Sequence, residues 1–226
     1  MIGYVDLESA PEYETYDELP DLGKQAFEKK FGYMIKNGTY PDFATCYPAE
    51  ASFHAEFSKI VCISLGTEIL DPEGDYFFIK GFTGEEIEIL AAFAAVLIKI
   101  KPSLLCAHNG KVFDYPFMRK RYIKHRMEIP ELLNTGDLKP WNVPLLDTME
   151  LWRGTDLKSY ASLITLCYAL GIESPKGGLD GSMVMTAFYA GKITEIKDYC
   201  NLDVLAEYRV HKHIERQVAL TKIKMV

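Results

Sequence analysis

Apolar and polar positions alternate with different periods along the chain, and the changes of period mark out its elements. IGYVDL, at residues 2–7, is β-branched and aromatic and predicts a short strand. Successive strand side chains point to opposite faces, so Tyr4, Asp6 and Glu8 share one face and Val5 and Leu7 the other. KIVCISLG (Lys59 to Gly66) and DYFFIKGF (Asp75 to Phe82) read as two more strands, paired as a hairpin through the turn-like DPEG. Thr83 and Glu86 stand at capping-box spacing before an apolar helix that runs to about Ile100 and is broken by Pro102. LLCAHN then predicts a short buried strand, and FDYPFMRKRYIKHR a helix from Phe113 to about Arg126. VPLLDTMEL, Val143 to Leu151, reads as a fifth strand and its exit. DLKSYASLITLCYALGI predicts a helix of about four turns stopped at Gly171. A helix after Asp180 follows, then a long one from about Thr194 towards the C-terminus.

This order predicts one α/β domain over residues 1–226, with a mixed five-stranded sheet flanked by helices. Its first three strands are antiparallel and the later ones parallel. Residues 9–56 carry acids, aromatics and one helix, LGKQAFEKKFGYMI, and are expected to form an insertion between the first two strands. No internal repeat is visible.

Composition narrows the classes. At 226 residues the chain can bury one substantial core, and 48% hydrophobic with 25% charged residues is ordinary for a globular protein. Five cysteines, none at C-x-x-C spacing, exclude a zinc ribbon and a complete disulfide framework; reduced thiols fit the cytoplasm. MIGYVDLES lacks a basic region followed by an apolar segment, so no signal peptide is expected. IEILAAFAAVLIKI is too short and, with Glu88 and Lys99, too charged to span a membrane. A net charge of −7 opposes direct gripping of duplex phosphates, but allows an enzyme that holds phosphate through bound cations.

The candidate chemistry is carboxylate. Asp6 and Glu8 share a strand face, Asp114 follows LLCAHN at the start of a helix, and Tyr199 and Asp203 lie four apart on another. Singly, each has a plain reading: an exposed strand end, a helix N-terminal acid favoured by the macrodipole, a solvated helix face. Together, the four acids suit hard divalent cations, which prefer oxygen ligands. Two such ions activate a water and stabilise the leaving oxygen in an in-line phosphoryl displacement. No cluster of His and Cys supports zinc instead.

The same residues carry a resemblance. VDLES resembles the Asp-x-Glu motif of the DEDD-type 3′–5′ exonucleases. NGKVFD resembles their Asn-x-x-x-Phe-Asp motif through Asn109, Phe113 and Asp114, and YCNLD their Tyr-x-x-x-Asp motif, all in the family's order. DLKSYASLITLCYALGI, SPK and LDGS are similar to stand-alone, PolB-like members. The first motif reads Asp-Leu-Glu-Ser where Asp-Ile-Glu-Thr is commoner, which keeps both acids.

The resemblance implies a ribonuclease H-like fold and two-metal hydrolysis at the 3′ ends of single-stranded or frayed DNA, releasing nucleoside monophosphates. Asp6, Glu8, Asp114 and Asp203 would hold two divalent ions, Mg²⁺ or Mn²⁺, and Asn109 and Phe113 would position the strand or the Asp114 loop. RNA is the alternative substrate, and a non-catalytic nucleic-acid-binding module the alternative class. Association with a polymerase or repair proteins is the family's habit.

The family's two branches place a histidine five positions, or a tyrosine four positions, before the last aspartate. Here those positions are Asp198 and Tyr199, which selects the tyrosine branch. A phenol with a pKa of about 10 is rarely ionised at neutral pH, so Tyr199 is expected to orient the attacking water, with core packing as its alternative. Lys120 and Lys124 share a helical face, either for strand phosphates or simply solvated. His211 and His213 are expected to be exposed, and Asp147 to form structural hydrogen bonds. Aromatics in 9–56 either stack on unpaired bases or pack on the sheet.

Overall fold

Strand β1 (Ile2–Pro11) is paired on both edges and forms the middle of the molecule. In the computed structural model, which describes residues 1–139, 142–174 and 178–226, five further strands join it. These are β2 (Ser58–Ile69), β3 (Tyr76–Thr83), β4 (Leu104–Ala107), β5 (Leu145–Asp147) and β6 (Ile223–Met225), in the sheet order β5-β4-β1-β2-β3-β6. β1, β2 and β3 are antiparallel neighbours, as their alternation predicts, and the other pairings are parallel. The helices are α1 (Asp21–Lys36), α2 (Phe43–Glu50), α3 (Glu86–Ile100), α4 (Asp114–Lys124), α5 (Thr148–Arg153), α6 (Leu163–Leu170), α7 (Val184–Tyr189) and α8 (Ile193–Ile214).

The strand period sorts the core into layers. Val5, Leu7, Ile63 and Leu65 meet Leu90 and Phe93 of α3 and Met118 and Tyr122 of α4 on one face. On the other, Tyr4, Phe77 and Ile79 meet Val204, Leu205 and Tyr208 of α8, with the Phe77 and Tyr208 rings stacked at 3.8 Å. α8 lies close to the sheet because position 66 has no side chain: a Cβ on Gly66 would sit 2.7 Å from Val204 Cγ1 and 2.5 Å from the Phe77 ring.

Among the described residues the sheet has six strands, where the sequence predicts five. α8 stops at Ile214, and the chain returns along β3 as β6, its Leu220 N–H donating to the Tyr208 hydroxyl at 2.8 Å. His211 is buried on that side, its Nδ1 2.8 Å from the Tyr4 hydroxyl, whereas His213 is exposed as expected.

Caps shift other boundaries. Asp147 ends the fifth strand after three residues by accepting the Met149 N–H, so α5 replaces the expected strand exit. Ser162 accepts the Thr165 N–H and starts α6 there, shortening the helix expected over 156–172. The capping box at Thr83 does not form. Thr83 ends β3, Glu85 is the N-cap of α3, and the Glu86 carboxylate turns inward. Pro175 and Lys176 of the SPK segment lie outside the described residues.

Between β1 and β2 the chain leaves the sheet and builds a cluster of its own, with Phe27 and Phe31 of α1 packed on Tyr47 of α2 and on Phe57. α1 is the helix read from the sequence; α2 was not anticipated. Arg121, 1% exposed, ties this segment down. Its Nη1 donates to the Ala55 carbonyl at 2.7 Å, and its Nε donates to Glu86 Oε1 at 2.6 Å. His125 Nε2 lies 2.6 Å from Glu86 Oε2, and the Ile60 N–H also donates to this carboxylate. Among the described residues, no helix is long and apolar enough to cross a membrane.

Breaking a buried ion pair leaves one charge uncompensated. Glu86→Ala is therefore expected to destabilise the protein by about 3–5 kcal/mol in urea denaturation. A loss below about 1 kcal/mol, the range of a surface pair, would contradict this reading.

Candidate active site

β1 carries Asp6 and Glu8 on the face that α8 covers, and past Glu8 its register with β2 shifts by one residue, Val61 of β2 being the extra one. α8 is fixed opposite by two polar contacts. The Cys200 thiol donates to the Asp6 carbonyl at 3.4 Å, and the Ser64 hydroxyl donates to Asn201 Oδ1 at 2.8 Å. Asp203 is thus brought to β1: Asp6, Glu8 and Asp203 each offer an oxygen within 4.8 Å of the others. All three are half-buried.

Asp114 enters from the side. β4 pairs with β1 only over Ile2, Gly3 and Tyr4, and past that point Asp114 Oδ1 accepts the Leu7 N–H at 3.2 Å. The loop that delivers it turns at Asn109, whose φ of 61° is a left-handed conformation that Asn tolerates. Asp147 clamps that loop, accepting the Asn109 N–H at 2.9 Å and the Lys111 N–H at 3.1 Å, which is the structural role expected of it. Phe113, the N-cap of α4, is half-buried, with its ring 5.3 Å from Phe117 and 6.3 Å from the exposed Phe53.

Tyr199 is half-buried one turn before Asp203, while Asp198 is exposed. Burial first, then the charges of Asp203 and Glu8, hold the Tyr199 phenol neutral. Burial also raises the acids. Asp203 is pushed up to about 6 and Asp114 to about 7, while Asp6 and Glu8 go well above the usual carboxylate range, Asp6 through burial and then Glu8 and Asp203. Among the described residues, Asp6 Oδ2 is buried with no hydrogen-bond partner. A concentrated set of oxygen donors with an unmatched buried atom suits a hard divalent cation.

Two neighbours escaped the sequence reading. Glu207 is 1% exposed and accepts the His108 N–H at 2.9 Å; its position one turn after Asp203 continues the spacing of Tyr199 and Asp203, which was the available signal. The His108 ring lies 2.8 Å from Thr148 Oγ1 and 2.9 Å from the Ala161 carbonyl, bridges that no local pattern announces. Of the basic pair on α4, Lys120 is exposed and Lys124 is held by Glu12 at 2.6 Å.

Residues 52–222 match a family described as a predicted 3′–5′ exonuclease related to the exonuclease domain of PolB. The chain belongs to this family. The matched segment of this PolB-like chain includes Asn109, Phe113, Asp114, Tyr199 and Asp203 and begins after β1, so Asp6 and Glu8 join them through sheet pairing. The fold is similar to that of the family B DNA polymerase from the hyperthermophilic archaeon Pyrobaculum calidifontis, at a TM-score of 0.60 and 13% identity. That likeness covers 95% of this chain and 24% of the polymerase chain. It shows the α/β, ribonuclease H-like architecture of the PolB-like family. No curated protein matches the chain.

Because Asp203 is pushed up to about 6 and Asp114 to about 7 in the fold, against about 4 when unfolded, the metal-free native state holds extra protons between those values. These acids therefore lower metal-free stability as pH rises through that window. Cations compete with those protons, so the gain in Tm on replacing EDTA with Mn²⁺ should be small at about pH 5.5 and larger at about pH 8. Buried histidines titrate in both samples and cancel in the difference. A gain independent of pH would contradict the raised acids.

Proposed function

We propose that this chain is a metal-dependent 3′–5′ exonuclease of the tyrosine branch, removing nucleoside monophosphates from single-stranded or frayed DNA ends. The observation that carries this reading is the meeting of Asp6, Glu8 and Asp203 within 4.8 Å, with Asp114 bonded to the strand between the first two. Two divalent ions, Mg²⁺ or Mn²⁺, held by Asp6, Glu8, Asp114 and Asp203, would supply the positive charge that activates water and stabilises the leaving oxygen. Water attacks the terminal phosphorus, the bond to the 3′ oxygen breaks, and that oxygen leaves with a proton.

The chain's own groups prepare that step. Tyr199, kept neutral by burial and by Asp203, is a hydrogen-bond donor and acceptor that orients the attacking water. Asn109 shapes the turn that delivers Asp114, and Phe113 offers a ring beside it for the terminal nucleotide. The segment at 9–56 acts as an insertion within a single exonuclease domain spanning residues 1–226. Most of its buried aromatics pack with one another, and Phe53 is left exposed next to Phe113. We place the enzyme in the cytoplasm, working beside a polymerase or repair proteins.

Asp6→Ala and Asp203→Ala should abolish shortening of a labelled single-stranded oligonucleotide in Mg²⁺ or Mn²⁺ with the circular dichroism spectrum unchanged. Full activity in either would overturn the assignment. Tyr199→Phe should lower kcat on the order of 10²-fold, the usual worth of a group managing a proton or water. Unchanged turnover would return Tyr199 to packing. The same assay on matched DNA and RNA oligomers decides the sugar, and binding without shortening would favour a non-catalytic module.

A further inference from the structure

Glu207 has an oxygen that the fold does not use. Its Oε1 accepts the His108 N–H, at the start of the loop that turns at Asn109 and delivers Asp114. Its Oε2 is buried and, among the described residues, has no partner; the residue is 1% exposed. A glutamine would hold the His108 N–H equally well through its carbonyl and offer an amide where Oε2 stands. Burial first, and then the nearby carboxylates of Asp114, Asp203 and Asp147, push its carboxyl well above the usual range. Elsewhere in the molecule a buried acid is matched: Glu86 receives Arg121 and the Ile60 N–H. The charge on Glu207 is therefore surplus to packing and to loop anchoring. It stands four residues beyond Asp203 on α8, a spacing that puts the two on one face of the helix.

We infer that Glu207 is a positioning residue for the cations of the site: Oε1 holds the Asp114 loop, and Oε2 accepts a hydrogen bond from a water in the ion's hydration shell. The inference rests on the exonuclease reading above. Divalent ions such as Mg²⁺ keep several waters when bound, so acceptors beyond the direct ligands orient the shell. Loss of such an outer partner weakens metal binding by about 10–100-fold.

The test is calorimetric titration of the full chain with Mn²⁺, comparing wild type with Glu207→Gln. The variant should bind Mn²⁺ about tenfold more weakly, while its Tm in EDTA does not fall. Raising Mn²⁺ should restore its turnover, which a distorted loop would not allow. Equal Mn²⁺ affinity in variant and wild type would reduce Glu207 to a loop anchor and overturn the inference, leaving the exonuclease reading intact. Wild-type protein that takes up no Mn²⁺ would remove both. If Glu207→Gln does not fold, a Mn²⁺-soaked crystal of the wild type decides. A water shared by the ion and Glu207 Oε2 supports the role, and an Oε2 without one overturns it.

Discussion

Repulsion between carboxylates is the constraint around which the centre of this protein is organised. Asp6, Glu8 and Asp203 converge where β1 meets α8, with Asp114 and Glu207 close behind, and burial makes each harder to ionise. Like charges separate unless rigid elements prevent it. Here β1 is gripped on both edges, α8 is seated on Gly66, and Cys200 and Asn201 fasten the helix to the sheet. The two apolar layers supply the stability that holds the acids together.

Glu86 is a buried acid outside this cluster, and the contrast is informative. Glu86 is met by the Arg121 guanidinium, His125 and a backbone N–H, and its carboxyl is held below the usual range despite burial. Among the described residues, no ion pair reaches Asp6, Glu8, Asp114, Asp203 or Glu207. One site is neutralised by the fold and the other, among the described residues, is not.

Much of this was legible in the sequence, for reasons that differ by element. The face shared by Asp6 and Glu8 followed from the two-residue strand period, and the hairpin of β2 and β3 from its turn. Tyr199 and Asp203 followed from helical spacing. What escaped depends on distant partners. Glu86 sits at capping-box spacing yet answers Arg121, 35 residues away, and no local rule weighs those options. β6 is three residues long and exists because β3 offers an edge and Tyr208 offers a hydroxyl to Leu220. His211 was expected in solvent because its place under Tyr4, 207 residues earlier, is a property of the packed sheet. Glu207 had the right spacing, but spacing does not tell a buried position from an exposed one.

The brevity of β4 has a further meaning. Because it stops at Ala107, the Leu7 N–H is left without the carbonyl that a longer neighbour would present, and Asp114 fills the vacant position in the ladder. A side chain thereby replaces a piece of main chain. The carboxylate inherits the positional precision of a β-sheet while keeping a second oxygen for other work. Lengthening β4 would make a more regular sheet and evict Asp114 from its seat, so completeness of the sheet and possession of this acid exclude one another.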